Sequence, residues 1–135
     1  KLIPLFIYNI VNNITLPLYG DGQNIRDWLY VEDHIYAIDL IFHKSQIGKT
    51  YNIGGNNEIT NNQIANILIK KLDKKLKRTQ GQSLSLIKHT EDRLGHDKRY
   101  AIDSSKIKNE LGWFPENTFE IGIEKTIDWY LNNLC

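Results

Sequence analysis

The chain has no methionine and a single cysteine among its 135 residues. Because that cysteine is Cys135, the last residue, no intrachain disulfide can form, and a reducing, cytoplasmic setting is the expectation. One terminal thiol anchors no metal cluster. His34, His43, His89 and His96 lack the paired spacing of a zinc site, so no metal is expected. No apolar run approaches the roughly 20 residues that a membrane-spanning helix needs, and nothing at the start resembles a signal peptide. Charge of one sign is also missing. Lys and Arg number 17 against 16 Asp and Glu, so no global field draws the chain to nucleic acid or to an anionic membrane. Small molecules or proteins are the expected partners. The nucleotide-binding glycine fingerprint is absent too: Gly54-Gly55 has no third glycine and comes too late to open a βαβ unit. None of the tyrosines is followed four residues later by lysine, which argues against an independent redox active site. A chain that opens on Lys1, without methionine, and runs at once into a helical pattern is expected to be a piece of something longer.

What is present is the composition of one globular domain, 41% hydrophobic and 24% charged. Pro4 suits the first turn of a helix that Ile3, Ile7, Ile10 and Val11 carry to about Asn13. Leu16 to Tyr19 reads as a short strand, and Gly20 and Gly22 as a tight turn into a second strand, Ile25 to Val31. Asp33 is placed to cap the next helix, with Ile35, Ile38, Ile41 and Phe42 as its buried face. Thr50 to Ile53 reads as a strand ending at Gly54-Gly55. Thr60 and Gln63 form a capping box for a helix lined by Ile64, Ile67, Leu68 and Leu72. Six of the nine residues from Lys70 to Arg78 are basic; without an aromatic to stack a base, they read as a solvated helix end. Thr79 to Ser83 is expected to be a loop and Leu84 to His89 a strand. Asp103 or Ser104 caps a short helix closed by Gly112, and Thr118 starts a last one with Phe119, Ile123, Ile127, Tyr130 and Leu131 inward. Alternating strands and helices give an α/β layer structure with some parallel pairing.

Arg26 stands at the entrance of an aromatic-rich strand, where its planar fork of donors suits a phosphate; a surface ion pair with Asp27 or Glu32 is the alternative. Asn61 falls in the first turn of its helix, where backbone N–H groups and the helix dipole favour an anion. Asp92-Arg93-Leu94-Gly95-His96-Asp97 packs two acids, a cation, a glycine and an imidazole into six residues. It reads either as a loop over a polar ligand, with Arg93 on phosphate and His96 donating a hydrogen bond, or as a salt-bridged surface turn. Tyr19 offers a flat face to a nucleobase, or is simply a half-buried strand tyrosine.

Six blocks then combine: KLIP at 1 to 4, LPLYGDGQNIRDWLYVEDH at 16 to 34, TYNIGGNNE at 50 to 58, DRLGHDKRYAID at 92 to 103, and ELGWFP with the later TIDWYL. In order and spacing they resemble the C-terminal part of the bacterial dTDP-glucose 4,6-dehydratase family, in the extended short-chain dehydrogenase/reductase superfamily. Related epimerases and decarboxylases share versions of RDW-YVED and YNIG, whereas the combination with GHDxRYAID is more specific. The resemblance implies incomplete Rossmann sheet elements plus a small substrate-binding domain across residues 1–135, with the NAD-binding Rossmann part lying upstream. It implies that the intact protein binds NAD and a dTDP-sugar, oxidises glucose at C4, eliminates water across C5 and C6 and returns the hydride to C6. Such chemistry feeds deoxysugar synthesis, typically rhamnose for surface polysaccharide, in an enzyme that usually forms a homodimer. Carried over by position, Lys1 and Leu2 would lie along the nucleotide and Pro17, Leu18 and Tyr19 around the thymine. Arg26, Asn61 and Arg93 would hold the diphosphate region, with His96 close by in the same loop, whose Asp92, Leu94 and Gly95 are counted as substrate-binding too. Leu94 departs from the family's usual proline. No catalytic residue of the family falls within this chain.

Overall fold

The computed structural model describes residues 1–133; Cys135 lies outside them. Its first helix, α1 (Leu2–Val11), leads to strand β1 (Leu16–Tyr19), strand β2 (Ile25–Asp27) and helix α2 (Val31–Lys44). Strand β3 (Glu58–Thr60) runs directly into α3 (Asn61–Lys75). A 3-10 turn, Gln82–Leu86, precedes β4 (Ile87–Thr90), and α4 (Ser105–Leu111) and α5 (Phe119–Asn133) follow. β1 pairs with β4 in parallel, Leu16 opposite Ile87, and β2 pairs antiparallel with β3, Ile25 opposite Thr60.

The main core is the meeting of α1, β1, α3 and α5. Phe6, Ile7 and Ile10 of α1 pack with Leu16 and Leu18 of β1, Ile64, Leu68 and Leu72 of α3, and Ile123 and Ile127 of α5. These are the i, i+3, i+4 and i+2 spacings that put apolar side chains on one helix or strand face. The capping box is complete: Thr60 Oγ1 accepts from the Gln63 N–H at 3.1 Å, and Gln63 Oε1 accepts from the Thr60 N–H at 3.0 Å. Gly112 closes α4 in the left-handed conformation, φ +73°. The basic stretch is structural. Lys71 and Lys75 pair with Glu124 on α5, and Arg78 donates to the carbonyls of Ile10 and Val11 at the end of α1.

Four expectations are corrected. The strand begun at Ile25 stops at Asp27, because the Asp27 carboxylate turns away to accept the N–H groups of Gly55 and Asn57 at 2.8 and 2.7 Å. Asp33 does not cap α2, whose N-cap is Tyr30. It sits buried inside the first turn and accepts from the N–H groups of Glu116 and Asn117. Thr50 to Ile53 is no strand, since no neighbouring strand pairs with it among the described residues; Tyr51 and Ile53 instead pack on a second cluster of Ala37, Leu40, Ile107 and Trp113. Leu84 to Leu86 belong to the 3-10 turn, so β4 starts only at Ile87.

The buried face of α2 is also not the expected one. This helix is apolar on two sides, and α4 with Trp113 covers the side of Ala37 and Leu40. Ile35 and Phe42 are 59% and 82% exposed, and with Val31 and Ile38 they form a continuous open stripe. A bare apolar stripe of this kind favours association. The chain is expected to self-associate as its concentration rises, and Ile38→Lys with Phe42→Lys should shift it toward monomer in sedimentation velocity. A double variant that sediments like the parent would rule out the stripe as the sticky surface.

Candidate functional site

The turn after β1 brings the site together. Gly20 and Gly22 hold φ of +54° and +71°, which only glycine adopts cheaply, and a side chain on Gly22 would stand 2.7 Å from a Leu18 methyl. The turn is fastened to the start of α3: Asn61 N–H donates to the Asn24 carbonyl and Asn62 N–H to the Gly22 carbonyl. With the Gln63 N–H on Thr60, the first three amides of α3 are engaged. The anion site expected there on backbone N–H groups is therefore not available; what Asn61 retains is its side-chain amide.

Arg26 lies beside the 92–97 loop, 70 residues away in sequence from the imidazole it meets. Its Nη2 donates to His96 Nε2 at 2.8 Å and to the Asp97 carbonyl at 2.9 Å, and its Nη1 donates to the Ile25 carbonyl at 2.6 Å. A guanidinium can only donate, so Nε2 carries the lone pair and His96 is the neutral Nδ1–H tautomer. That Nδ1–H donates to Asp92 Oδ1 at 2.6 Å. The His96 hydrogen bond, with help from the Arg93 N–H, holds the Asp92 carboxyl below its ordinary range. Carboxylate, imidazole and guanidinium thus form one chain. Arg26 makes no ion pair with Asp27 or Glu32: Asp27 serves the glycine loop, and Glu32 faces Lys125.

Two tyrosines flank this chain. Tyr100 lies under the Arg26 guanidinium, 4.2 Å from ring centroid to Cζ. The Arg93 guanidinium stands 5.3 Å over the face of Tyr19, whose edge meets His96 at 6.2 Å between centroids. A polar recess of about 350 Å³ opens beside them, lined by Asp21, Gln23, Asn24, Asp92, His96 and Lys98.

Among the residues expected at a ligand, the structure gathers Tyr19, Arg26, Asp92, Arg93 and His96 here. Leu94 is fully exposed and Gly95 holds φ +70° at the loop's tip. Pro17 and Tyr19 face away from the core, whereas the Leu18 side chain is buried in it, leaving only its backbone for a ligand. Lys1 and Leu2 line a different groove, with Trp28 to Glu32 and Trp129, which shares no lining residue with the recess. Asn24, Lys98 and Tyr100 were not anticipated; each looked like an ordinary polar or aromatic residue, and only the tertiary contact distinguishes it.

Residues 1–126 match the family described as GDP-mannose 4,6 dehydratase. The chain belongs to that family. Within it, the chain is 52% identical to dTDP-glucose 4,6-dehydratase of Escherichia coli and 49% identical to that of Xanthomonas campestris, over 98% of its own length and 38% of theirs. Solved structures agree. The dTDP-glucose 4,6-dehydratase of Bacillus anthracis, in complex with NAD, superposes with a TM-score of 0.84 at 47% identity. The Streptomyces venezuelae enzyme, also with NAD bound, gives 0.86 at 41%. Each alignment covers 98% of this chain and 40% or 39% of the other. The chain therefore spans about two fifths of the length of these relatives.

The residues present do not fit NAD. β1 and β4 are the only parallel strand pair among the described residues, and neither runs through a glycine-rich turn into a helix. Among the described residues no helix is long and apolar enough to cross a membrane.

Proposed function

We propose that this chain is the nucleotide-sugar-binding C-terminal portion of a dTDP-glucose 4,6-dehydratase, a single incomplete domain that does no chemistry alone. The observation that carries the reading is Arg26: a half-buried guanidinium with no carboxylate partner among the described residues, hydrogen-bonded to a neutral imidazole, His96, whose ring meets the edge of Tyr19 beneath a second arginine, Arg93. Such a pair of cations suits the diphosphate of a nucleotide sugar, with the Nη1 and Nε edges of Arg26 for its oxygens and the Asn61 amide alongside. Tyr19 and Pro17 would meet the thymine, Arg93 leaving the ring face as the base arrives. In the intact homodimeric, cytoplasmic enzyme the missing part would carry NAD, which supplies the hydride acceptor and donor for converting dTDP-glucose to dTDP-4-dehydro-6-deoxy-glucose. That part would also cover the open stripe of α2 and pair the edge of Thr50 to Ile53.

Calorimetric titration tests the reading. dTDP is expected to bind the 135-residue chain while thymidine, lacking the diphosphate, does not, and the chain alone should not turn over dTDP-glucose. Equal affinity for dTDP- and UDP-sugars would sink the dTDP assignment and favour an epimerase or decarboxylase parent, and binding of neither would leave a module without this ligand.

A further inference from the structure

Tyr100 stands outside the residues that the ligand reading uses, yet its placement is specific. Its ring lies 4.2 Å under the Arg26 guanidinium, and its hydroxyl donates to Asp97 Oδ2 at 2.6 Å. Its own N–H donates to the Ile25 carbonyl at 3.0 Å, the same carbonyl that accepts from Arg26 Nη1. Asp97 gives its main-chain carbonyl to Arg26 Nη2 and its carboxylate to Tyr100. The Asp97 carbonyl also lies 3.4 Å from the Asn24 amide. Arg26 is thus fixed on one face by an aromatic ring, and three of its five N–H donors are taken by two carbonyls and an imidazole. Its Nε–H and the second Nη1–H are left for a ligand.

We propose that Tyr100 is a positioning residue: it locks the Arg26 guanidinium in the orientation that receives the diphosphate, acting through stacking rather than by touching the ligand. The proposal rests on the nucleotide-binding reading for its consequence but not for its geometry. An unstacked arginine samples many rotamers and loses that freedom on binding; a stacked one has already lost it. The ring face is the active element. Phenylalanine keeps that face and gives up only the Asp97 hydrogen bond, whereas leucine removes both.

Two measurements on the 135-residue chain separate the possibilities. In the ligand-free protein, the Arg26 Nε–H resonance should be shifted by the ring current of Tyr100, the shift surviving in Tyr100→Phe and vanishing in Tyr100→Leu. In titrations with dTDP, Tyr100→Phe should stay within about twofold of the parent and Tyr100→Leu should lose about fivefold, in the range of an aromatic–cation contact. In an Arg26→Ala background, Tyr100→Leu should add no further loss. An unshifted Arg26 resonance in the parent overturns the proposal, as does equal weakening by Phe and Leu or a full additional loss in the Arg26→Ala background. Should Tyr100→Leu fail to fold, the parent resonance and the Phe variant still decide. If no variant, nor the parent, binds dTDP while the ring-current pattern holds, the ligand reading falls and the stacking role stands.

Discussion

Replacing Arg26 with alanine is expected to weaken dTDP binding on the order of 100-fold, leaving the thermal transition nearly unchanged. Hydrogen bonds to charged groups are worth about 1.5–3 kcal/mol, and bonds to a diphosphate from the Nε–H and the remaining Nη1–H, the donors left free by the fold, reach the upper end of that range. About 2.8 kcal/mol corresponds to the factor of 100. Stability should barely respond because the Ile25 carbonyl keeps the Tyr100 N–H and the Asp97 carbonyl keeps the Asn24 amide, while His96 lines the polar recess, where water can replace the lost donor. The guanidinium itself contributes no ion pair to the fold among the described residues, as the neighbouring carboxylates are engaged elsewhere. Arg26→Lys should recover only part of the loss, since a point charge can neither stack on Tyr100 as the planar guanidinium does nor reproduce its separate free donors. Isothermal titration of the three chains decides, and an alanine variant that binds dTDP as tightly as the parent would remove Arg26 from the diphosphate site.

Where local chemistry decides structure, the sequence reads correctly. The helical spacing from Ile3 to Ile10, the Thr60/Gln63 capping box and the stop at Gly112 each depend on groups within a few residues, and each has its structural counterpart. The errors lie where distant groups compete. Asp33 has the right chemistry for a cap, but the N–H groups of Glu116 and Asn117, more than 80 residues on, take its carboxylate. On α2, two apolar stripes coexist, and no periodicity says which one Trp113 will cover. Thr50 to Ile53 has strand composition, but a strand is a pairing, and its partner must come from another segment. The candidate site shows the same division. Glycines and an arginine beside the β1 turn are visible in one stretch of sequence. The meeting of Arg26 with His96 and Tyr100, and of His96 with Asn24, is made by the sheet pairing of β2 with β3 and by the bridge from Ile25 to Arg99.

That pairing depends on one position, and Gly55→Ala is expected to cost about 3 kcal/mol and to lower the melting temperature by roughly 10 °C. A Cβ on Gly55 would lie 2.3 Å from the Trp28 carbonyl oxygen and 3.0 Å from its carbon, both backbone atoms that no rotamer change can move. The loop has no slack to shift. Gly55 N–H and Asn57 N–H are held by Asp27, Trp28 N–H donates to the Asn57 carbonyl at 3.1 Å, and the Asn57 amide donates back to the Trp28 carbonyl at 3.2 Å. Relieving the clash means breaking part of this lattice, and because Asp27 directly follows Arg26 in β2, the guanidinium moves with it. Binding of dTDP should therefore fall along with stability, which a clash confined to a surface loop would not produce. Gly48→Ala is the control. At φ +84° it carries backbone strain of about 1 kcal/mol but has nothing within 4 Å of its Cβ, so it should be mildly destabilised with dTDP affinity intact. Denaturant melts and titrations of the two variants make the comparison. A Gly55→Ala chain that melts within about 2 °C of the parent and binds normally would show that the Asp27 clamp neither limits the fold nor sets the position of Arg26.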